Sequence, residues 1–480
     1  PALAAALAVG CAIGPDYEPP APPLAAGWSA TNDPRVQRDP RTSEHWWQAF
    51  HDPGLEKLVS EAFHQSPNLR AAGMRVLQAQ ARRGIAIGGL FPQTQEASGE
   101  LTRSRRSLET STPIAGQYQT TWRAGFDAAW ELDFWGRFRR AIEASDAELL
   151  AAEADYDDVL VTLVSETAAN YVRLRVTEDR LALARANVEV QREGLELARV
   201  RYEAGGTSAL DVQQATTLLS DTEATIPALE ASHRQTADAL AVLLGVPPDG
   251  LGDRLATSNG IPEAPPTVAV GIPADLLRRR PDIRRSEGVL AAQSARVGVA
   301  MADLLPRIQL VGSIGWSAED AGDLFSGRSL EAVGGPRFDW PIFDYGRIVN
   351  AVRLADAEFE EAAALHVDTV LRAQRDVEDA LVRYLRGLDQ ANRLARAAGA
   401  AHQAVEISLI QYREGAADYT RVLNTQQAKL QEEDRLVSTR GDVTLAVIAL
   451  YKALGGGWEL REGREMGPAR SYGGPLGSWW

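Results

Sequence analysis

One phrase is written twice in this chain, and that duplication limits the folds open to it. Residues 130–140 read WELDFWGRFRR and residues 340–350 read WPIFDYGRIVN. Trp130, Gly136 and Arg137 answer Trp340, Gly346 and Arg347 at a fixed offset of 210 (130 to 340). The register continues without insertion. Asp146-Ala147-Glu148 matches Asp356-Ala357-Glu358, Arg201-Tyr202-Glu203-Ala204-Gly205 echoes Gln411-Tyr412-Arg413-Glu414-Gly415, and Leu244-Gly245 matches Leu454-Gly455. Upstream the offset becomes 214 (67 to 281): Pro67-Asn68-Leu69-Arg70 answers Pro281-Asp282-Ile283-Arg284, and Leu90-Phe91-Pro92 answers Leu304-Leu305-Pro306. Runs of matches in one register mark an internal repeat, and a repeat sets architecture before any domain count. The predicted repeats span 46–245 and 274–455, each a helix, two strands and a helical hairpin. Residues 246–273, rich in Pro and Gly, read as a linker, and the Gly-rich 456–480 as a mobile tail.

The helices announce themselves by a seven-residue stripe. In the first half it runs Leu160, Thr167, Leu174, Leu181, Val188, Leu195, Tyr202; in the second, Val370, Val377, Tyr384, Ala391, Ala398, Val405, Tyr412. A sustained heptad stripe predicts long helices packed as in coiled coils. A helix from Gly136 to Tyr202 has roughly 67 residues and a length of about 100 Å. Each long helix ends at a Gly-bearing turn, RYEAGGTSALDV (201–212) or QYREGAADYTRVL (411–423). Gly205 and Gly415 fit the left-handed position that follows a helix. A second helix then returns toward Leu244-Gly245 or Leu454-Gly455.

The segments between the helices alternate with a period of two. Trp122, Ala124, Phe126, Ala128, Trp130, Leu132 and Phe134 share one face; Arg123, Gly125, Asp127, Ala129, Glu131 and Asp133 share the other. The second half carries Ile308, Leu310, Gly312, Ile314, Trp316 and then Leu330, Ala332, Gly334, Phe338, Trp340, Ile342. A fainter run follows Pro92. Each half therefore offers two strands, four in all. An apolar face with aromatic ends opposite a charged face suits a membrane barrel wall around a wet lumen. Four strands leave two open edges, and in lipid each unpaired edge group costs several kcal/mol. Copies must therefore join to close the wall: two give eight strands, largely filled by side chains, and three give twelve with room for a channel.

Composition narrows the partners. The chain has 480 residues and a net charge of −15, which argues against nucleic acid. Its one cysteine, Cys11, excludes an intramolecular disulfide. No apolar stretch reaches the roughly 18 residues of a spanning helix, which leaves strands free to cross a membrane. PALAAALAVGC resembles the end of a signal peptide running into a lipobox, although Leu7 lies one position earlier than the usual pattern. Residues 1–10 are read as a signal-peptide remnant, Cys11 as the lipid (palmitate) attachment site, and 11–45 as a lipid-anchored, Pro-rich tether.

With a lipid cysteine, two helical hairpins and duplicated strand pairs, the sequence resembles the outer-membrane factors of the TolC/OprM type, in the NodT-like efflux lipoprotein branch. The matching phrases are CAIGPDYEPP (11–20), WWQAFHDPGLEKLV (46–59), LLRRRPDIRRSEGVLAAQSARVGVAMADLLPRI (276–308), WPIFDYGR (340–347) and YREGAADYTRVLNTQ (412–426). The resemblance implies an α+β membrane protein with a long α-helical barrel and a transmembrane β-barrel. It implies a homotrimer of twelve strands and twelve helices in the outer membrane, extending into the periplasm. It also implies an exit duct for small molecules in a tripartite efflux system, fed by a periplasmic adaptor (membrane fusion protein) and an inner-membrane pump of the RND or a similar type. Such a duct is no enzyme and needs no cofactor or metal. A duct for type I protein secretion is the alternative on the same architecture.

By the same resemblance, the hairpin ends hold a gate at Asp418, Arg421 and Tyr412, and an adaptor-binding surface at Gly205, Gly206, Thr207, Gly415 and Ala416. The corners Trp130, Trp135, Gly136, Arg137, Trp340, Gly346 and Arg347 mark the membrane interface. The first-half counterpart of Asp418 is Ser208, so the two turns differ chemically. The six histidines, His45, His51, His64, His233, His366 and His402, show no metal-ligand spacing. No P-loop, G-x-G-x-x-G or nucleophile-elbow motif occurs. The run Arg278-Arg279-Arg280 before Pro281 is expected to cap or coat a helix.

Overall fold

The computed structural model describes residues 12–37, 45–105, 107, 109, 118–255 and 260–461. Cys11, the signal-peptide remnant 1–10, part of the tether and the tail beyond Arg461 lie outside the described residues. In chain order the elements are β1 (Val36–Gln37), a 3₁₀ turn (Trp46–Phe50), α1 (Pro53–Gln65), α2 (Pro67–Gly88), β2 (Thr94–Arg105), β3 (Tyr118–Glu131), α3 (Arg137–Glu203) and α4 (Ala209–Leu243). There follow β4 (Val268–Ala269), α5 (Leu276–Arg279), α6 (Pro281–Ala302), β5 (Arg307–Ala318), β6 (Leu330–Asp339), α7 (Arg347–Arg413) and α8 (Tyr419–Ala453). Helices α3 and α7 have 67 residues each, α4 and α8 have 35, and α2 and α6 have 22. No helix among the described residues is long and apolar enough to cross a membrane.

The chain divides into two compact units. The first gathers Pro1–Ala21, Arg75–Glu153 and Arg285–Val367; the second gathers Pro22–Met74, Ala154–Arg284 and Asp368–Trp480.

The first unit holds an antiparallel four-stranded sheet in the order β2-β3-β5-β6. Its register keeps one chemistry per face. Leu101 opposes Trp122 and Ala97 opposes Phe126. Phe126 then meets Ile314, and Trp130 meets Leu310. Ile308 meets Phe338. The other face pairs Glu100 with Arg123, Glu131 with Gln309 and Arg307 with Asp339. The apolar face is open within one chain: Phe126 is 44% exposed, Ile314 48% and Phe338 69%. Among the described residues both outer strands, β2 and β6, present an unpaired edge.

The alternating runs read from the sequence overshoot these strands. β3 stops at Glu131, so Leu132 and Phe134 belong to a tight turn in which Phe134 N donates to the Leu132 carbonyl. β6 stops at Asp339, so Trp340 and Ile342 lie past it. Pro341 has no N–H with which to extend the ladder. Side-chain parity alone does not register where a ladder ends.

The second unit is helical. The heptad stripe is buried there: Leu160, Thr167, Leu174, Val370, Val377 and Tyr384 are fully enclosed. Tyr202 breaks the pattern by remaining exposed. Gly441 lets Val176 approach where any Cβ would collide with it. At one end of this bundle Trp46 stacks on Tyr451 at 5.6 Å, and the Tyr171 hydroxyl donates to both oxygens of Asp52, the cap of α1. Asp157, wholly buried, meets Arg284 at 3.3 Å and Arg461 at 3.0 Å.

Three segments read as tether, linker or tail pack against this bundle. Along α7, Ala25 N donates to Gln374 at 2.8 Å, Ser29 N to Glu378 at 2.8 Å, and Arg35 pairs with Asp389 at 2.9 Å. Trp28 is buried and its indole donates to Gly271 O at 2.7 Å. β1 pairs in parallel with β4, which lies inside the expected linker. The chain past Gly455 forms a 3₁₀ turn, Trp458–Arg461, that carries the ion pair to Asp157. Proline-rich composition predicts the absence of helix here. It does not predict detachment, because extended backbone can bond to helix side chains spaced four residues apart. Arg280 does act as a helix cap: it donates to the Ala453 carbonyl at the end of α8 and pairs with Asp282.

Candidate functional site

Two places collect the residues singled out in the sequence. The first is the pair of strand-to-helix corners in the first unit. At one corner Trp130 Nε1 donates to the Leu90 carbonyl at 3.0 Å; at the other Trp340 Nε1 donates to the Leu304 carbonyl at 3.0 Å. Gly136 and Gly346 turn the chain at φ +78° and +83°, the left-handed region that glycine occupies without strain. An aspartate then caps each long helix. Asp133 accepts from Phe138 N and Arg139 N, both at 3.0 Å. Asp344 accepts from Gly346 N at 3.1 Å and Ile348 N at 2.7 Å. These backbone donors, at the positive end of the helix dipole, hold the Asp344 carboxyl below the usual carboxylate range. The two caps sit one position apart in the repeated phrase, which is why letter matching passes over them.

The corners differ in their surroundings. Arg137 makes a two-pronged bond to Glu131 at 3.1 and 2.8 Å, whereas Arg347 is exposed and the residue matching Glu131 is Pro341. Trp135 donates to the Pro306 carbonyl at 2.8 Å, while its counterpart Tyr345 is fully exposed at φ +54°. The first corner also receives the N-terminal segment. Ile13 N donates to the Trp135 carbonyl at 3.0 Å, and Ala12 sits 2.7 Å from where a Cβ on Gly136 would lie. Arg140, nearly enclosed, donates to the carbonyls of Ile13 and Gly14 and pairs with Asp16 at 2.8 Å. The residue before Ala12 is Cys11.

The second place is the pair of hairpin turns in the second unit. Both long helices end alike: Gly206 N reaches back to the Arg201 carbonyl and Ala416 N to the Gln411 carbonyl, with Gly205 at φ +72° and Gly415 at φ +73°. These bonds satisfy carbonyls that a helix end leaves open. Gly205, Gly206, Gly415 and Ala416 are exposed and Thr207 is half-buried.

Beneath the turns lies a small core of Leu195, Ala198, Ala215, Tyr412, Tyr419 and Val422. Tyr412 and Tyr419 meet edge to face at 5.3 Å. The Arg201 guanidinium lies over the Tyr412 ring at 4.5 Å and also donates to the Tyr412 carbonyl. The Tyr412 hydroxyl points at Asp211, which also accepts from Thr207. Burial pushes the Tyr419 phenol up to about 12.

Of the three residues assigned to a gate, Tyr412 is thus a core residue that is 1% exposed within one chain. Asp418 is exposed and caps α8 by accepting from Arg421 N at 3.2 Å; Arg421 in turn donates to Gln411. The sequence pattern assigns no role to Arg201, Asp211 or Tyr419. The signal for Arg201 was its place beside the glycine turn, but nothing local says which ring it will cover. No group of three or more His, Cys, Asp or Glu side chains that could hold a metal occurs among the described residues.

Comparison with known proteins follows the same outline. The family model described as outer membrane efflux protein matches residues 58–246 and 272–456. The pyoverdine export outer membrane protein OpmQ of Pseudomonas putida is 33% identical over 444 residues, covering 92% of this chain and 93% of that protein. Nodulation protein T of Rhizobium leguminosarum bv. trifolii is 32% identical over 457 residues, covering 94% of this chain and 95% of that protein. Among solved structures, that of the outer-membrane channel OprN matches with a TM-score of 0.86 at 34% identity, covering 94% of this chain and all of that one.

Proposed function

Because this chain belongs to the outer membrane efflux protein family and is an efflux channel of the outer membrane, we propose that three copies close one exit duct of a tripartite system. Twelve strands form its barrel and twelve helices its tunnel, with a periplasmic adaptor and an inner-membrane pump feeding it. The observation that carries this reading is the four-stranded sheet with an exposed apolar face and two unpaired edges. Lipid cannot satisfy those edges, and each open N–H or C=O there costs several kcal/mol. The equal helix lengths in the two halves fit a duplicated unit spanning 46–245 and 274–455. Paired halves give a trimer a sixfold-like wall from three chains.

The cargo is a small molecule, in line with the pyoverdine that the relative from Pseudomonas putida is named for. The duct performs no chemistry on it, and energy comes from the pump. Cys11 carries lipid; the seating of Ala12 and Ile13 on the first corner would hold that lipid beside the sheet. Adaptor hairpins dock at Gly205, Gly206, Thr207, Gly415 and Ala416, where the turns are open to solvent. Asp418 and Arg421 line the mouth, and Tyr412, braced by Arg201, keeps the turn that bears them in place.

Two measurements test this. The detergent-purified protein should have the mass of three chains and conduct ions in a planar bilayer. A photoactivatable group at Thr207 should crosslink to the hairpin of a co-expressed adaptor. A lone subunit without conductance would end the duct reading, and absence of crosslinks from every turn position would end the docking assignment.

A further inference from the structure

Internal pairing in the sheet supplies a template for the seam between two copies, a step that rests on the closed-barrel reading above. From the corners onward β3 corresponds to β6 at the offset of 210 (Trp130 to Trp340). The hairpin registers then match β2 to β5. Ala97 pairs with Phe126, and Leu310 pairs with Pro336, the residue 210 beyond Phe126; Ala97 therefore corresponds to Leu310. Likewise Glu100 pairs with Arg123 and Ser313 with Val333, so Glu100 corresponds to Ser313. Glycines fall into line as well, with Gly99 corresponding to Gly312.

Within one chain the two halves meet through β3 and β5, where Trp130 opposes Leu310 and Asp127 opposes Ser313. Between copies the equivalent seam is β6 against β2. We propose that this seam repeats the internal one, so that Trp340 opposes Ala97, and Arg337 opposes Glu100, of the next copy.

Three observations support that register over its neighbours. It keeps Phe338 and Trp340 on the face that carries Ala97, Gly99 and Leu101; a slip of one residue would turn polar side chains to the apolar face. It sets Arg337 against a carboxylate, whereas slips of two residues set it against Ser98 or Thr102. It also lays Phe338 over Gly99, where the structure leaves open space above the Cα. The ladder pattern agrees. Ser317 N donates to the Ser329 carbonyl, so odd-numbered residues of β6 bond to β5 and even-numbered ones face the open edge. Arg337 then belongs to a pair without mutual backbone bonds, the kind whose side chains approach most closely. Pro336 faces the edge without an N–H and leaves the Leu101 carbonyl of the next copy one donor short.

Cysteine pairs in the full chain, with Cys11→Ser, test this. Glu100→Cys with Arg337→Cys should give roughly tenfold more covalently linked dimers and trimers than Ser98→Cys or Thr102→Cys with the same Arg337→Cys, since disulfides need close Cβ atoms. Stronger linkage by either shifted pair overturns the register. No linkage by any pair, from a protein whose native mass is three chains, overturns it while leaving the trimer intact; a native mass of one chain overturns both. A second measurement needs no cysteine. Arg337→Glu should lower the temperature at which copies separate, and Glu100→Gln in the same chain should recover at least half of the loss. Failure of Glu100→Gln to recover any of it would also count against the pairing.

Discussion

Trp130 donates its indole N–H to the carbonyl of Leu90 at 3.0 Å, closing the chain just past α2 onto the end of strand β3. Trp340 does the same for Leu304. Both carbonyls lie just past a 22-residue helix that cannot satisfy them. Trp130→Phe and Trp340→Phe keep the ring and remove the donor. Each should lower stability by about 0.5–1 kcal/mol, the net worth of a partly exposed hydrogen bond. Thermal unfolding in detergent measures it, and no change for either variant would reduce these bonds to decoration.

The two corner glycines should not be equivalent. Gly346→Ala meets only Asn350 at 3.5 Å, so its cost is the backbone strain alone, about 1 kcal/mol. Gly136→Ala adds a collision with Ala12. It should cost more and should also expose residues 12–16 to protease. Equal melting temperatures with an intact N-terminal segment would contradict the packing of Ala12 on the first corner.

Asp418 caps α8, and its proposed place at the mouth can be tested separately from that cap. Asp418→Asn retains an oxygen for the Arg421 N–H and loses the charge, whereas Asp418→Ala loses both. If its charge closes the mouth, both variants should raise single-channel conductance. If the helix cap matters, only Asp418→Ala should do so, with about 1 kcal/mol less stability. Unchanged conductance in both removes Asp418 from the gate.

Arg201 braces the turn bearing Asp418 by covering Tyr412. Arg201→Lys keeps a cation but loses the flat guanidinium, so it should stabilise the turn less than arginine and more than Arg201→Ala. Limited proteolysis within 411–418 reports this order. Identical cleavage rates for all three would mean that the stack does not hold the turn.

His366 is buried on α7 and meets the Ser286 hydroxyl at 2.9 Å. Burial pushes its imidazole below the ordinary value of 6.5, while Glu287 pulls it the other way. The folded state thus resists a proton that the unfolded state accepts. Stability is complete above about pH 6.5 and declines as pH falls below it toward the folded value. His366→Gln should flatten that decline in thermal unfolding between pH 7 and 5. An unaltered slope would assign the pH dependence to other groups.

The long helices and the alternation of the sheet were legible in the sequence for a physical reason. A stripe such as Leu160, Thr167, Leu174 is enforced along one buried seam, and Phe126, Ala128, Trp130 along one face; periodicity survives because every member faces the same environment. Arg201 was not legible, because its ring partner Tyr412 lies 211 residues away. The caps Asp133 and Asp344 were passed over because each serves its own helix from a different position in the phrase. Within the expected tether 11–45, the contacts of Pro23, Ser29 and Arg35 were not legible, because they go to Gln374, Glu378 and Asp389, which look like ordinary exposed polar positions of a helix.

The duplicated phrase, the length of the first long helix and the apolar side of β3, β5 and β6 could be read from spacing along one chain, since a period is a property of that chain alone. Where the strands stop, that Tyr412 is core while Tyr202 stays exposed, and that Ala12 and Ile13 seat on the first corner emerged with the folded chain. Those outcomes depend on which distant atoms arrive at the same point, and backbone spacing carries no record of that.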